Sequence, residues 1–324
     1  MIDIQLINVI LLLAIGTQET FEALSRFVIK DVIIVKQYMS SNELIDYLIS
    51  KGVSVENRDG ALNKIKRYSY YSIVNTYKDV FKNEDKLYKE NVSFDEIFAL
   101  YDFDKNISAI FLKYILEIET MIKSMLAEVL SSKYGIDNYL LVDNFDNDVD
   151  PKIINDNIDK IKEEIEKQNG KHEALTHYII EYNFVPPFVL TKILTLGELS
   201  RLYTMLKQVD RQAISKQFKI SDKLLKQILK NMTMVRNICA HNDRLFSFHS
   251  KFFLSFKDVD KEYINKDNST NLYMIMKSME CLLDENKKEE FDKSISDEIS
   301  KLKDEIKSID IDVILYLMGF FKNK

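Results

Sequence analysis

Between Phe103 and Val129 apolar side chains recur in steps of three and four, with Phe103, Ile107, Ile110, Tyr114, Ile118, Met121, Met125 and Val129 marking the track. That period lays them along one stripe, so a single long helix is predicted from Phe103 to about Lys133. Just upstream, Ser93-Phe94-Asp95-Glu96 has capping-box spacing: the serine can accept from a free backbone N–H and the glutamate can reach back. So apolar a helix must be covered, and composition says by what. Only 7 Gly and 3 Pro occur in 324 residues, too few to punctuate the many short strands of a sandwich or barrel. The expected fold is all-α.

The rest of the chain divides into shorter helices. An amphipathic helix is predicted from Ser40 to Ser50, with Gly52 just past its end. After the polar turn Asn57-Arg58-Asp59-Gly60, one helical segment is expected through Leu62, Ile65, Tyr68 and Ile73 to about Phe81. Asp143 to Asp150 is an acidic break that lacks the Gly and Glu of a calcium-binding loop, so calcium is not expected. A charged helix from about Lys152 to Gln168 follows. His172 and His177 then lie about 140° apart on the next helix, the wrong relation for two ligands of one metal. Pro186-Pro187 starts a further helix, and Gly197 reads as a break before Leu199 to Leu206. Ser221 caps a helix whose buried side holds Leu224, Leu225, Ile228, Leu229, Met232, Met234, Val235 and Ile238. An aromatic stretch (Leu245 to Phe256), a polar loop (Asn265 to Ser269) and three helices ending at Met318-Gly319-Phe320 complete the chain.

Two cysteines, Cys239 and Cys281, cannot build a disulfide framework and lack metal-ligand neighbours at finger spacing. A reducing, cytoplasmic setting is expected. Ile7 to Ile15 is apolar, but it is shorter than the ~20 residues a membrane-spanning helix needs and has no basic residue before it. Residues 1–35 are therefore expected to be an apolar extension of unknown role, a buried helix or a peripheral segment too short to span a membrane, ahead of a single helical domain over 36–324. Net charge is −6, yet Pro186 to Lys257 holds thirteen Lys or Arg against four acids, a local +9 that leaves −15 elsewhere. A basic region in an acidic protein can attract a polyanion, although solvated helix faces would give the same count.

One constellation carries chemistry: Arg236-Asn237-Ile238-Cys239-Ala240-His241. Cutting RNA without a metal requires a base for the 2′-hydroxyl and a cation for the charge growing on phosphorus. Histidine titrates near neutrality and suits the first task; arginine, a permanently charged fork, suits the second. Asn237 and His241 are four apart and share a helix face, whereas Arg236 and His241 lie about 140° apart. Gathering them needs a distorted helix end, the reach of the arginine, or two motifs meeting across a dimer interface. The last resolves the geometry most simply. Spacing alone is unspecific, since Arg244 and His249 repeat it, and a lone helix-end histidine can simply interact with the last carbonyls.

The words around the motif resemble the Abi-like family, known from abortive-infection proteins of the AbiD and AbiF type. Four blocks carry the resemblance in order: Ile65 to Tyr71; Leu100-Tyr101-Asp102-Phe103-Asp104 leading to Ile118-Glu119 and Tyr134-Gly135; Val185-Pro186-Pro187-Phe188 through Leu196 to Ser200; and Arg236 to Leu245, with Met318-Gly319-Phe320 similar to the family's closing words. Relatives carry a Leu-Arg pair where this chain has Ile107-Ser108, and Trp where it has Phe188. The resemblance implies an all-α, HEPN-like helical bundle with additional N- and C-terminal helices. It further implies that the motifs of a homodimer build a metal-independent ribonuclease site used in phage defence, in some relatives restrained by a small antitoxin RNA.

On that reading Arg236 and His241 are catalytic and Asn237 supports them. Lys230 and Arg244 are candidate RNA contacts, and Glu119, a carboxylate on the apolar flank of the long helix, is a candidate supporting residue. No metal or cofactor is expected. The other readings are an RNA-binding module without catalysis and a phage-sensing interaction protein.

Overall fold

The computed structural model describes residues 38–254 and 269–320, and the fold is an all-α bundle with one two-stranded ribbon. The apolar extension expected over residues 1–35 lies outside the described residues. At the centre is the long helix, which begins at its cap: Ser93 accepts from the Glu96 backbone N–H, Glu96 answers, and the helix runs Phe94–Tyr134. It starts nine residues earlier than the apolar stripe suggested, because Phe94, Ile97 and Leu100 are buried as well. At 41 residues it is about 60 Å long.

In chain order the α-helices are α1 (Ser41–Ser50), α2 (Arg58–Tyr68), α3 (Phe94–Tyr134), α4 (Pro151–Gln168), α5 (Glu173–Tyr182), α6 (Pro187–Ile193), α7 (Leu196–Met205), α8 (Gln208–Ser215), α9 (Asp222–His241), α10 (Leu272–Glu280), α11 (Glu285–Glu305) and α12 (Ile311–Met318). Helices α6, α9 and α11 pack along α3, and α9 also packs on α7. The ribbon joins His249–Ser250 to Thr270–Asn271 in antiparallel register. Ile107, Phe111, Tyr114, Ile115, Ile118 and Ile122 of α3 are fully buried, and each large apolar side chain so placed contributes about 1.5–3 kcal/mol before the entropy of ordering is set against it.

Two expectations change. The stretch from Leu62 to Phe81 is not one helix. The Ser69 hydroxyl accepts from the Ser72 backbone N–H, and Ser69 sits at φ 67, which ends α2; the chain continues as a π-turn at Tyr71–Asn75 and a 3₁₀ turn at Lys78–Phe81. A short polar side chain has outcompeted the helical backbone there. Gly197 is not a break either. Thr195 and Glu198 form a capping box, so α7 already includes Gly197 in its first turn. A Cβ at 197 would stand 3.2 Å from the Thr233 methyl, so the glycine permits the close approach of α7 to α9.

The C-terminal helices are pinned to the start of α3. Glu96 Oε1 accepts from the Lys307 and Ser308 backbone N–H groups, both at 2.6 Å. Burial works to raise the Glu96 carboxyl, but the hydrogen bonds from Lys307, Ser308 and Ser93 outweigh it and hold the group below its ordinary value. Beyond α12, Gly319 takes φ +83, and a side chain there would collide with Asn271, the residue that caps α10.

Candidate functional site at the end of α9

Helix α9 starts where Ser221 accepts from the Leu224 backbone N–H. Asp222 in its first turn pairs with Arg211, which also holds Asp146 at 3.0 Å, so the helix entry is tied to α8 and to the loop before α4. Leu225, Ile228, Leu229, Met232 and Val235 are buried, while Leu224, Met234 and Ile238 pack at the core's margin. On the opposite side, Lys223, Lys226, Lys230, Asn237 and His241 are all exposed. A 100° turn per residue places these five within about 60° of one another. A lysine track therefore runs along α9 into the Asn237–His241 face.

The helix keeps α-helical form through His241. Asn242 then turns left-handed at φ 60, and the Asp243 N–H returns to the Ile238 carbonyl at 3.0 Å, a Schellman-type close. Of the three ways to gather Arg236 and His241, a distorted helix end is thus removed. Arg236 falls on the same side of the helix as Leu225 and Leu229 and is half-buried; its Nε is buried and has no hydrogen-bond partner among the described residues.

What holds this helix end comes from α3 and from the turns before it. The Asp104 carboxylate is fully buried and accepts from the Leu245 N–H at 3.1 Å, the Phe246 N–H at 2.6 Å and the Tyr77 hydroxyl at 2.6 Å. Burial pushes the Asp104 carboxyl above its ordinary value despite those donors. Beside it, the Lys105 ammonium donates to the carbonyl of Asn242, the left-handed residue just past the helix end, at 2.6 Å. Arg244 donates to the Thr76 carbonyl at 2.8 Å and lies 4.4 Å from the Phe246 ring centroid. Asp104, Lys105 and Tyr77 were given no role by sequence reasoning. The available signal was Asp104 itself, an acid between Phe103 and Ile107 on an apolar stripe, which must find partners when buried.

The other candidates are placed as follows. Lys230 is exposed, its ammonium 3.3 Å from the Phe252 ring centroid. Arg244 is half-buried and engaged with the turn before α3. Glu119 is buried on α3 and pairs with Lys123 at 2.8 Å. No hydrogen bond or ion pair joins Glu119 to Arg236, Asn237 or His241 among the described residues, and it lies about 22 Å along α3 from Asp104. The Cys239 thiol is pushed up to about 12 by burial, so it is not poised as a thiolate nucleophile. His172 caps α5 through its ring nitrogen, and His249 sits in the ribbon. Among the described residues, no cluster of three or more His, Cys, Asp or Glu could hold a metal ion, and no helix is long and apolar enough to cross a membrane.

A sequence model of the Abi-like protein family matches residues 63–247. No curated protein and no solved structure matches the chain. The matched span is more than half of the sequence, and it contains Asp104, the Arg236–His241 motif and the Leu245 and Phe246 amides that Asp104 holds. The chain belongs to the Abi-like protein family.

Proposed function

We propose that the protein is an abortive-infection effector that acts in phage defence as a metal-independent endoribonuclease, with Arg236 and His241 as its catalytic residues. Family membership supports the role in abortive infection. The observation that carries the chemistry is the end of α9: an imidazole and a carboxamide exposed on one face, a lysine track leading to them, and a half-buried guanidinium whose Nε lacks a partner among the described residues.

The reaction would be transesterification. His241 takes the 2′-hydroxyl proton, the 2′-oxygen attacks phosphorus, and Arg236 stabilises the pentacoordinate phosphate. The 5′-oxygen leaves with a proton supplied by an imidazolium, giving a 2′,3′-cyclic phosphate and a 5′-hydroxyl. Because α9 is regular to its end, Arg236 and His241 of one chain stay about 140° apart. Two copies packed α9 against α9 would bring one chain's arginine to the other's histidine, and in this proposal the active form is a homodimer. Asn237 orients the phosphate beside His241, Lys230 draws the strand in, and Arg244 orders the turn behind the motif. A small RNA lying on the same track would restrain the enzyme by occupying it.

Incubating the purified chain with RNA in EDTA tests this. Cleavage to cyclic-phosphate ends is expected, and none with 2′-O-methyl RNA, which has no proton to give. The lysine track favours one other reading, an RNA-binding module without catalysis. Tight, salt-sensitive binding with no cleavage would establish that reading instead.

A further inference from the structure

Away from the α9 face, a groove lies between α1 and the turns that precede α3 and has a volume of about 700 Å³. Its lining includes four ammonium groups, those of Lys51, Lys78, Lys82 and Lys86, and no carboxylate. None of the four makes an ion pair among the described residues; Lys78 donates to Asn75 at 2.6 Å. Acids do occur nearby, as Asp79, Glu84 and Asp85, but none of them lines the groove. Three phenol rings, Tyr47, Tyr70 and Tyr88, share the walls with the lysines. Tyr47 and Tyr88 each have an ammonium near the ring, Lys51 at 5.3 Å and Lys82 at 5.0 Å from the centroids.

The backbone here takes forms that a featureless surface does not require. The π-turn at Tyr71–Asn75 follows Tyr70 and ends on Asn75, both in the lining; such turns concentrate at functional sites. Lys86 adopts φ 63, a left-handed conformation that favours Gly or Asn, in a turn closed by the Leu87 N–H to Asn83 Oδ1 at 3.0 Å. The fold thus holds a lysine at the rim where a glycine would fit more easily.

We propose that this groove binds a short single-stranded RNA segment, with bases stacked on the tyrosines and phosphates against the four lysines. Flat rings interleaved with unpaired cations are what single-strand binding uses, since every base offers a π-face and every linkage a charge. An acidic peptide would satisfy the lysines but leave the rings without a matching group. The site is distinct from the motif on α9, since its lining includes no residue of Arg236–His241; the link between the two regions is Thr76, next to the lining residue Asn75, whose carbonyl accepts from Arg244.

The test is fluorescence anisotropy of the full chain with a labelled 2′-O-methyl oligoadenylate, which cannot be cut. Lys82→Gln/Lys86→Gln should weaken binding by about tenfold or more and flatten the salt dependence by about 1.5 in log–log slope. Tyr47→Leu should weaken oligoadenylate by about tenfold while leaving competition by polyphosphate unchanged. Binding equal to wild type in the lysine pair variant overturns the groove, and so does competition by polyglutamate as strong as by oligoadenylate, which would point to an acidic protein partner. The same variants assayed for cleavage keep the two ideas apart: a groove variant that cuts as before but binds less supports the groove, and loss of cutting in His241→Ala with groove binding intact bears on the motif alone.

Discussion

Arg236→Ala and His241→Ala should each lower RNA cleavage by about 10²–10⁴-fold and abolish toxicity in cells, with little change in melting temperature. For His241 the rate figure is the usual loss when a positioned acid–base group is removed; for Arg236 the loss belongs at its lower end, about 10²–10³-fold, as when one donor to the transition-state charge is removed. The stability expectation follows from placement. His241 is exposed at the last turn of α9, and its removal forfeits at most a favourable contact with the helix-end carbonyls, typically below about 1 kcal/mol. Arg236 is half-buried with a buried Nε that bonds to nothing among the described residues, so alanine releases a desolvated polar group and breaks no pair. Arg236→Lys is the sharper control. It keeps the charge but not the fork, and a phosphorane held by two parallel N–H donors should still lose most of its stabilisation. Gel assays in EDTA beside thermal melts check all three, and a double variant as toxic as wild type would remove the site assignment.

Asp104→Ala should do the reverse, damaging the fold first and the activity through it. The substitution strips the acceptor from two backbone N–H groups and one phenol in a fully buried place. Buried donors left without partners cost about 1–3 kcal/mol each, so a loss of about 3–5 kcal/mol is expected. For a chain of this size that lowers the melting temperature on the order of 10 °C. Asp104→Asn should recover only part of it, because an amide turns one of its two acceptor positions into a donor facing donors. Hydrogen exchange at Leu245 and Phe246 reports the clamp directly: both amides should be protected in the wild type and exposed in Asp104→Ala. If melting and exchange were unchanged, Asp104 would not hold the end of α9.

Much of this was legible before any coordinates. The 3.6-residue period gave α3, Ser93 and Ser221 marked helix starts by side chains that cap, and Pro186-Pro187 opened α6. These signals are local, a few residues deciding the backbone beside them. What escaped depends on distant neighbours. The π-turn after Tyr68 accompanies the burial of Ile73, Val74 and Tyr77, a placement no local pattern reveals. The two-residue ribbon pairs residues 20 and 22 apart. Gly197 signals a break by habit, and only the Thr233 methyl across the α7–α9 contact explains it.

The site divides in the same way. Arg236, Asn237 and His241 follow from the chemistry of three side chains and one helical angle. The Asp104 clamp joins positions 141 and 142 apart in the sequence, so its partners could not be named from spacing. Glu119 was singled out by the same rule that applies to Asp104, an acid on an apolar stripe, but its partner is Lys123, one turn away.

The most direct measurement is to mix the two inactive variants. In an equal mixture of Arg236→Ala and His241→Ala chains that exchange freely, half the dimers are mixed, and each mixed dimer keeps one of its two composite sites. Cleavage should then return to about a quarter of the wild-type rate. A mixture no more active than either variant alone would contradict the sharing of arginine and histidine between two copies of α9.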